Sequence, residues 1–176
     1  RSGFLGRVPR VGEIVLKHND CLCAASTAAG PAFEGARLSC GMRATQGAIE
    51  KVVMEDDDIN FSVIGDIEPV GICGSGLIDL VSELVSAGII TQEGRLLEPD
   101  ELDQDLPPAI RKRVRSGDEG NRQFVLYETG RGTQDNAPVS ITQRDIRELQ
   151  LAAGAIRAGI NILLKQAGLN AQDLNR

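Results

Sequence analysis

The segment PVGICGSGLIDLVSELVSAGII, residues 69–90, contains the clearest change of secondary structure in the sequence. Its first residues suit the end of a β-strand, and the glycines after them suit a tight turn. An apolar stripe at helical spacing follows, formed by Leu77, Ile78, Val81, Leu84 and Val85. Ser75 is predicted to be the N-cap of this helix and Gly88 its left-handed C-terminal cap. The sequence thus predicts a strand, a glycine turn and a helix in direct succession.

The glycine turn has the spacing G-x-x-G-x-G, from Gly71 to Gly76. Consecutive backbone N–H groups in such a turn, at the positive end of a helix dipole, can point at a phosphate. The spacing differs from the Walker A loop and from the Rossmann fingerprint, and no Lys-Ser/Thr pair follows it. Two interpretations remain open: a phosphate or nucleotide contact, or a tight turn that needs glycine for its backbone conformation.

A second glycine-rich stretch, STAAGPAFEGARLSCGMRA at residues 26–44, consists mainly of small side chains with few charges. Small residues allow a ligand or another element to approach the backbone closely. Glu34 is placed to orient a water or a metal. Arg37 is placed to neutralise the Glu34 carboxylate or to bind a phosphate. The alternative is that Glu34 and Arg37 pair with each other, three residues apart on a helix surface.

Alternating apolar residues and turn residues predict two β-hairpins before the glycine turn. The first has strands near 12–18 and 21–26, joined at Asn19-Asp20. The second lies within 47–66, and its acidic tip at 55–58 is interpreted as a solvated loop rather than a metal site. One face of its return strand is predicted to carry Ile59, Phe61 and Val63.

Short elements and loops are predicted between residues 89 and 138. They are a hairpin with the turn QEG at 92–94, a helix from Pro107-Pro108 to Arg115, a strand QFVLY at 123–127, and loops at 116–122 and 128–138. The basic cluster at 111–115 is expected to be a solvated helix face. A docking site for an acidic partner is the alternative.

The last predicted element is a helix that is capped by Ser140 or Thr142 and ends near Ala167. Thr142 and Asp145 resemble a capping box. One continuous apolar face is predicted from Ile146, Leu149, Ala153, Ile156, Ile160 and Leu163. The middle of the helix is rich in alanine and glycine, which would let a sheet, a second helix or a ligand come close. Helix-on-sheet packing is the favoured interpretation.

Composition excludes several classes of protein. The net charge of −6 argues against nonspecific nucleic-acid binding, and no apolar run reaches membrane-spanning length. The four cysteines match neither zinc-ligand spacing nor a plant-type 2Fe–2S pattern, so we expect reduced thiols in a cytoplasmic protein and no metal site. A thiol-based redox or metal protein using Cys21, Cys23 and Cys40 is a third hypothesis. His18 is the only histidine, so no Ser-His-Asp set can be argued.

Three segments together resemble the C-terminal domain of the reductive activators of corrinoid-dependent proteins. They are STAAGPAFEGARLSCGMRATQGAIE at 26–50, PVGICGSGLIDLVSELVSAGII at 69–90, and ITQRDIRELQLAAGAIRAGINILL at 141–164. The resemblance covers Val11 to Arg176. That family belongs to the acetate and sugar kinase, heat-shock chaperone and actin superfamily.

The resemblance implies an α/β fold: a ribonuclease-H-like, actin-like ATPase lobe with β-hairpins and packed helices. It implies ATP and Mg²⁺ as ligands, and a 2Fe–2S cluster in a separate N-terminal domain of the parent protein. The implied activity is ATP-dependent return of a cobalt(II) corrinoid protein to cobalt(I), with that corrinoid protein as partner. Six residues are carried over from the resemblance as candidates for nucleotide or metal contact: Thr27, Gly30, Glu34, Gly74, Ser75 and Gly76.

One departure from the family pattern lies near the amino-terminal end of the sequence. Members have an Asp-Ile-Gly-Thr-Asn-Gly-Glu-Ile-like loop, where this sequence reads GRVPRVGEIVL at 6–16. We therefore expect an irregular or foreign segment at 1–11 and a partial, incomplete second lobe at 12–176. Such a fragment is expected not to turn over ATP alone. The alternative function is a non-catalytic docking or dimerisation module for a corrinoid protein.

Overall fold

The computed structural model describes residues 12–18, 21–35, 37–55, 57–117, 121–128 and 137–174. The segment 1–11, for which an irregular structure is predicted, lies outside the described residues. The strands and helices follow one another along the chain in this order: β1 Gly12–His18, β2 Cys21–Thr27, α1 Gly30–Phe33, β3 Ala48–Glu55, β4 Asp58–Val63, β5 Gly71–Ile72, α2 Gly74–Ser86, α3 Pro108–Arg111, β6 Val114–Ser116, β7 Arg122–Tyr127, β8 Val139–Thr142, α4 Gln143–Ala167 and a 3-10 helix at Ala171–Asp173. No helix within the described ranges is long and apolar enough to cross a membrane.

The chain divides into two compact units. The first comprises residues 1–31 and 151–176, and the second comprises residues 32–150. The assignment of 12–176 to one lobe stays a prediction.

The first unit contains the β1–β2 hairpin and the C-terminal part of α4. The two strands pair antiparallel from Gly12 opposite Thr27 to His18 opposite Cys21, which confirms the first predicted hairpin. Exposure alternates along both strands, and Val15 and Leu22 point outward. The other face of the hairpin packs on α4: a methyl group placed on Gly159 would lie 2.6 Å from Thr27 Cγ2 and 2.9 Å from Ile14 Cδ1. The slim middle of α4 therefore serves helix-on-sheet packing.

Helix α4 confirms the last predicted element and corrects its buried face. Ile146 and Leu163 are buried as predicted, whereas Ala153 is exposed. Ala152 and Gly159 are buried, because one helix side faces the hairpin and that side runs through these two positions.

Two glycines of α4 give a matched pair for measuring this close approach. An added methyl group at Gly154 meets no atom within 4 Å, so Gly154→Ala should raise stability by about 0.5–1 kcal/mol through helix propensity. Gly159→Ala gains the same propensity but drives the methyl into the hairpin, so we expect a net loss of about 1–3 kcal/mol. Urea unfolding followed by circular dichroism measures both values. Equal effects at the two positions would contradict the packing described here.

The second unit contains two three-stranded sheets, and one hydrophobic core cluster includes buried residues of both sheets and of α2. In the first sheet the order is β4-β3-β5, with β3 antiparallel to β4 and parallel to β5. The predicted second hairpin is thus confirmed. Ile59 is buried, and Phe61 and Val63 are half-buried on the same face, as predicted.

The tip of that hairpin is more than a solvated loop. Asp57 adopts a left-handed conformation, with φ of 65°. Asp58 accepts a hydrogen bond of 2.9 Å from Arg113 Nε, and this bond holds the pKa of its carboxyl below the usual range. Asp56 lies outside the described residues. The acidic run is therefore anchored at one end by a cation from another element.

The other sheet has the order β6-β7-β8 and corrects the prediction for residues 107–115. The helix that begins after Pro107 ends at Arg111, and the chain enters β6 at Val114. The guanidinium of Arg113 also donates to the carbonyls of Val125 and Leu126, at 3.2 and 2.6 Å. The basic cluster is consequently not a helix face, because its middle residue, Arg113, lies in the turn between α3 and β6 and is bound to Asp58 and to two carbonyls of β7.

Sheet pairing also reassigns the ends of the predicted loops. Strand β7 starts at Arg122 and confirms the strand predicted at 123–127. Ser140, a predicted cap, lies within β8, a strand that the sequence did not suggest. Residues 118–120 and 129–136 of the two predicted loops lie outside the described residues.

Helix α2 confirms the central prediction in outline. It begins at Gly74 with Cys73 as N-cap, so Ser75 is not the cap. Gly88 follows the C-cap with φ of +72° and confirms the left-handed ending. Ile78 is 47% exposed, whereas Leu80, absent from the predicted stripe, is fully buried. The hairpin after α2 consists of a single bridge between Ile90 and Leu96.

Candidate functional site

The candidate site centres on the amino-terminal end of α2, where parts of the two glycine-rich segments meet. A methyl group on Gly74 would lie 2.4 Å from the carbonyl oxygen of Phe33, the last residue of α1. Phe33 directly precedes Glu34, so the Glu34 turn and the GICGSG turn are neighbours. Close backbone approach is possible there because residue 74 has no side chain.

Gly76 has a similar role on the other side of the helix start. Its added methyl group would lie 2.4 Å from the carbonyl oxygen of Ile49 in β3. The same carbonyl accepts a hydrogen bond of 3.1 Å from the Cys73 amide. The first turn of α2 therefore rests directly on β3, and both glycines are required by contacts within the protein.

Ser75 is the exposed residue between these two buried glycines. Its hydroxyl donates a hydrogen bond of 2.8 Å to the carbonyl of Glu50. The first N–H groups of a helix have no acceptor within the helix, and the helix dipole makes this end attractive to anions. The arrangement can accept one anionic group beside Ser75, while the glycines on either side face protein.

The segment from Gly35 to Met42 joins both turns to the sheet. Gly35 has φ of +73°, and an added methyl group would lie 2.3 Å from the Met42 amide nitrogen. The Ile72 amide donates to Cys40, and the Met42 amide donates to Ile72, at 2.8 and 2.9 Å. Ile72 lies two residues before Gly74, so this segment is bonded to the strand that leads into the glycine turn.

The remaining candidate residues are distributed between the two units. Thr27 and Gly30 belong to the first, where Thr27 Oγ1 donates to the Gly12 carbonyl at 3.2 Å. Glu34 belongs to the second and is half-buried in the turn after α1. Because α1 ends at Phe33, Glu34 and Arg37 do not lie on a helix surface as expected, and Arg37 pairs with Glu148 at 3.5 Å. A nucleotide contact for these residues stays a prediction.

Sequence reasoning missed one group in this region, the fully buried carboxylate of Asp145. It was considered only as part of a capping box. The box is present: the Thr142 amide donates to Asp145 at 2.7 Å, and the Asp145 amide donates to Thr142 Oγ1 at 3.3 Å. The same carboxylate also accepts hydrogen bonds from Ser39, which is 106 residues away in the sequence. No pattern of neighbouring residues in the sequence predicts such a contact.

Metal-binding and thiol groups are dispersed. Within the described ranges, no group of three or more His, Cys, Asp or Glu side chains is placed to hold a metal ion. Cys73 is a buried free thiol, Cys40 is a half-buried free thiol, and Cys23 is half-buried. A cleft of about 450 Å³ lies elsewhere in the second unit, lined by Phe61, Lys112, Arg113, Arg115, Tyr127 and Glu128 among others.

Comparison with known proteins gives consistent matches along nearly the whole chain. The chain is 41% identical over 163 residues to the corrinoid activation enzyme RamQ of Eubacterium limosum, covering 93% of this chain and 27% of RamQ. It is 30% identical over 184 residues to the Co(II) methylated amine-specific corrinoid protein reductase of Methanosarcina barkeri, covering 92% of this chain and 28% of the reductase.

A solved structure of a reductive activator for corrinoid, iron-sulfur protein matches with a TM-score of 0.74 and 38% identity. That match covers 94% of this chain and 25% of the activator. The chain thus spans about a quarter of the length of these relatives. The α/β fold expected from the sequence is confirmed by this structural likeness.

The family model described as the C-terminal domain of RACo, the ASKHA domain, matches residues 11–176. ASKHA stands for the acetate and sugar kinase, heat-shock chaperone and actin superfamily named above. The resemblance of the three segments is therefore confirmed, and the chain belongs to the family of RACo C-terminal ASKHA domains.

Proposed function

We propose that this chain is part of an ATP-dependent reductive activator that returns a cobalt(II) corrinoid protein to cobalt(I). The observation that carries the proposal is the match over residues 11–176 to an ASKHA family whose relatives are named as corrinoid activators and reductases. The contribution of this chain would be nucleotide binding and contact with the corrinoid protein. The protein would act in the cytoplasm, as the free thiols of Cys40 and Cys73 suggest.

Nucleotide binding is proposed at the amino-terminal end of α2. Ser75 and the N–H groups of the first helical turn would hold a phosphate group, since the exposed end of the helix is where an anion is favoured. Bound ATP would supply phosphoryl-transfer free energy. Mg²⁺ is proposed to be held mainly by the nucleotide phosphates and water, as is usual for this ion. The 2Fe–2S cluster is proposed to lie in another domain of the parent protein.

A charge placed at Ser75 tests the phosphate contact without disturbing the fold. Helix α2 has no acidic residue in its first turn, and an acid there interacts favourably with the helix dipole. Ser75→Glu should therefore change the free energy of unfolding by less than about 1 kcal/mol. Repulsion between the new carboxylate and a phosphate should weaken ATP binding at least tenfold, which is about 1.4 kcal/mol. Isothermal titration calorimetry with ATP, on the whole parent protein that contains this chain, measures this change.

Ser82→Glu is the matched control. Ser82 is exposed on the same helix, seven residues or about 10 Å further along its axis, and receives the same charge. ATP affinity should be almost unchanged in this variant. Equal ATP affinities of the wild type and Ser75→Glu would show that the start of α2 is not part of the nucleotide site. Absence of ATP binding by the wild type would count against the proposed function itself.

A non-catalytic docking or dimerisation role is the alternative, and the contacts of the basic cluster weaken it. Arg113 is bound to Asp58 and to two carbonyls, and Arg115 pairs with Glu128. Both charges are therefore largely satisfied inside the chain. Homodimerisation remains a proposal that rests on the exposed apolar side chains, among which Leu151 and Ile162 lie on α4.

A further inference from the structure

The start of α4 holds a buried charged group that ordinary helix capping does not explain. Asp145 is 0% exposed, and its carboxylate accepts four hydrogen bonds. Two come from the amide and hydroxyl of Thr142, at 2.7 and 2.9 Å. The other two come from the amide and hydroxyl of Ser39, at 2.8 and 3.2 Å. A capping box needs only the bond from the Thr142 amide among these four, together with the bond from the Asp145 amide to Thr142 Oγ1.

The Ser39 bonds belong to a series of contacts along one stretch of chain. Arg37 lies 3.5 Å from Glu148, one helical turn beyond Asp145. Cys40 Sγ lies 3.6 Å from the Pro138 carbonyl, just before β8. Residues 37–40 therefore contact the chain just before β8 and the first two turns of α4. Because Asp145 is the buried member of the series, it makes the contacts that water replaces least readily.

The opposite side of the same stretch touches the candidate site. The carbonyl of Cys40, next to Ser39, accepts the Ile72 amide at 2.8 Å. A methyl group on Gly71 would lie 2.6 Å from that carbonyl, so strand β5 and residue 40 are in close contact. Gly35 is packed against Met42 in turn. The contacts run without a gap from Asp145 to both glycine-rich turns.

We propose that Asp145 and Ser39 form a clamp that positions the Glu34 turn and the turn at Gly74–Gly76, and thereby sets the affinity of the site for nucleotide. The effect on nucleotide affinity rests on the proposed function, which supplies the ligand. The positioning of the two turns by Asp145 and Ser39 does not rest on it. Neither residue would touch the nucleotide, so both are positioning residues. Through this clamp the first turn of α4 is coupled to the placement of the two turns.

Ser39→Ala and Ser39→Thr form a matched pair for the test. Ser39 is exposed, so both replacements fit, but only threonine keeps a hydroxyl that can donate to Asp145. Asp145→Asn is the stronger variant, because one oxygen is replaced by an NH₂ group that cannot accept a hydrogen bond. Leu163→Ala, in the first unit, is the control for general loss of stability.

Amide hydrogen exchange by mass spectrometry, well below the unfolding transition, gives a readout that does not depend on ligand. Ser39→Ala and Asp145→Asn should accelerate exchange at least tenfold in peptides covering 33–42 and 71–77. Ser39→Thr should restore the wild-type rate, and Leu163→Ala should leave these peptides unchanged. ATP affinity, measured by calorimetry, should fall about tenfold in the first two variants only.

The outcomes separate the clamp from the proposed function. The clamp is overturned if Ser39→Ala and Asp145→Asn accelerate hydrogen exchange only in residues 142–148, and Asp145 then serves only in the capping box. It is also overturned if Leu163→Ala accelerates exchange in the 33–42 and 71–77 peptides as much as these two variants do. Accelerated exchange with unchanged ATP affinity overturns its link to the nucleotide. If the wild type binds no ATP, the proposed function is overturned, and the exchange rates alone decide whether the two turns are positioned by Asp145.

Discussion

Gly76→Val is expected to prevent α2 from seating on β3 and to lower the free energy of unfolding by about 3 kcal/mol or more. Any Cβ at residue 76 would lie 2.4 Å from the Ile49 carbonyl oxygen and 3.0 Å from its carbon. Backbone atoms of a central strand cannot move aside as the end of a flexible side chain can. The β-branched valine adds further volume to a place that has no room for one carbon atom.

Denaturant unfolding followed by circular dichroism measures this loss. Ser75→Ala is the neighbouring control, because it removes one exposed hydroxyl whose hydrogen bond goes to Glu50. Its expected cost is about 0.5–1.5 kcal/mol. A Gly76→Val protein as stable as Ser75→Ala would show that the helix start does not rest on β3 as described.

This expectation affects how glycine variants of the candidate site are interpreted. Loss of ATP binding in a Gly74 or Gly76 variant would follow from misplacement of α2 alone. Such a result does not show that either glycine contacts a phosphate. The Ser75→Glu variant is informative because its residue is exposed and its charge should not disturb the fold.

Phe124→Ala is expected to cost about 3–5 kcal/mol, the largest loss that we expect from a simple truncation. Phe124 is fully buried in β7, the central strand of its sheet, opposite Val114 on one side and Ile141 on the other. With only 3% aromatic residues in the sequence, few side chains can fill a cavity of that size. Removal of the ring leaves contacts unmade on both neighbouring strands.

Phe61→Ala is the matched control for the loss of a phenyl ring. Phe61 is half-buried and meets Tyr127 edge-to-face, with 6.2 Å between the ring centroids. Its truncation should cost about half as much, since less apolar surface returns to water. Urea unfolding of the two variants compares the costs directly. Similar values would place Phe124 outside the core of the second unit.

The sequence by itself determined the elements whose signals are local. Alternation and turn residues located both hairpins, and helical spacing located α2 and α4. Gly88 was recognised as a left-handed helix ending because few other residues adopt that conformation. The three long segments also identified the family. These features depend on residues that are close neighbours along the chain, so the chain order alone reveals them.

The tertiary structure decided whatever depends on partners distant in sequence. It ended α3 at Arg111, because Arg113 is held by Asp58 and by carbonyls of β7. It showed that Gly74 and Gly76 leave room for carbonyls of the protein itself. It also placed the Asp145 carboxylate against Ser39, 106 residues away. Spacing can show that a residue must be small or polar, but only the folded chain shows which atoms lie against it.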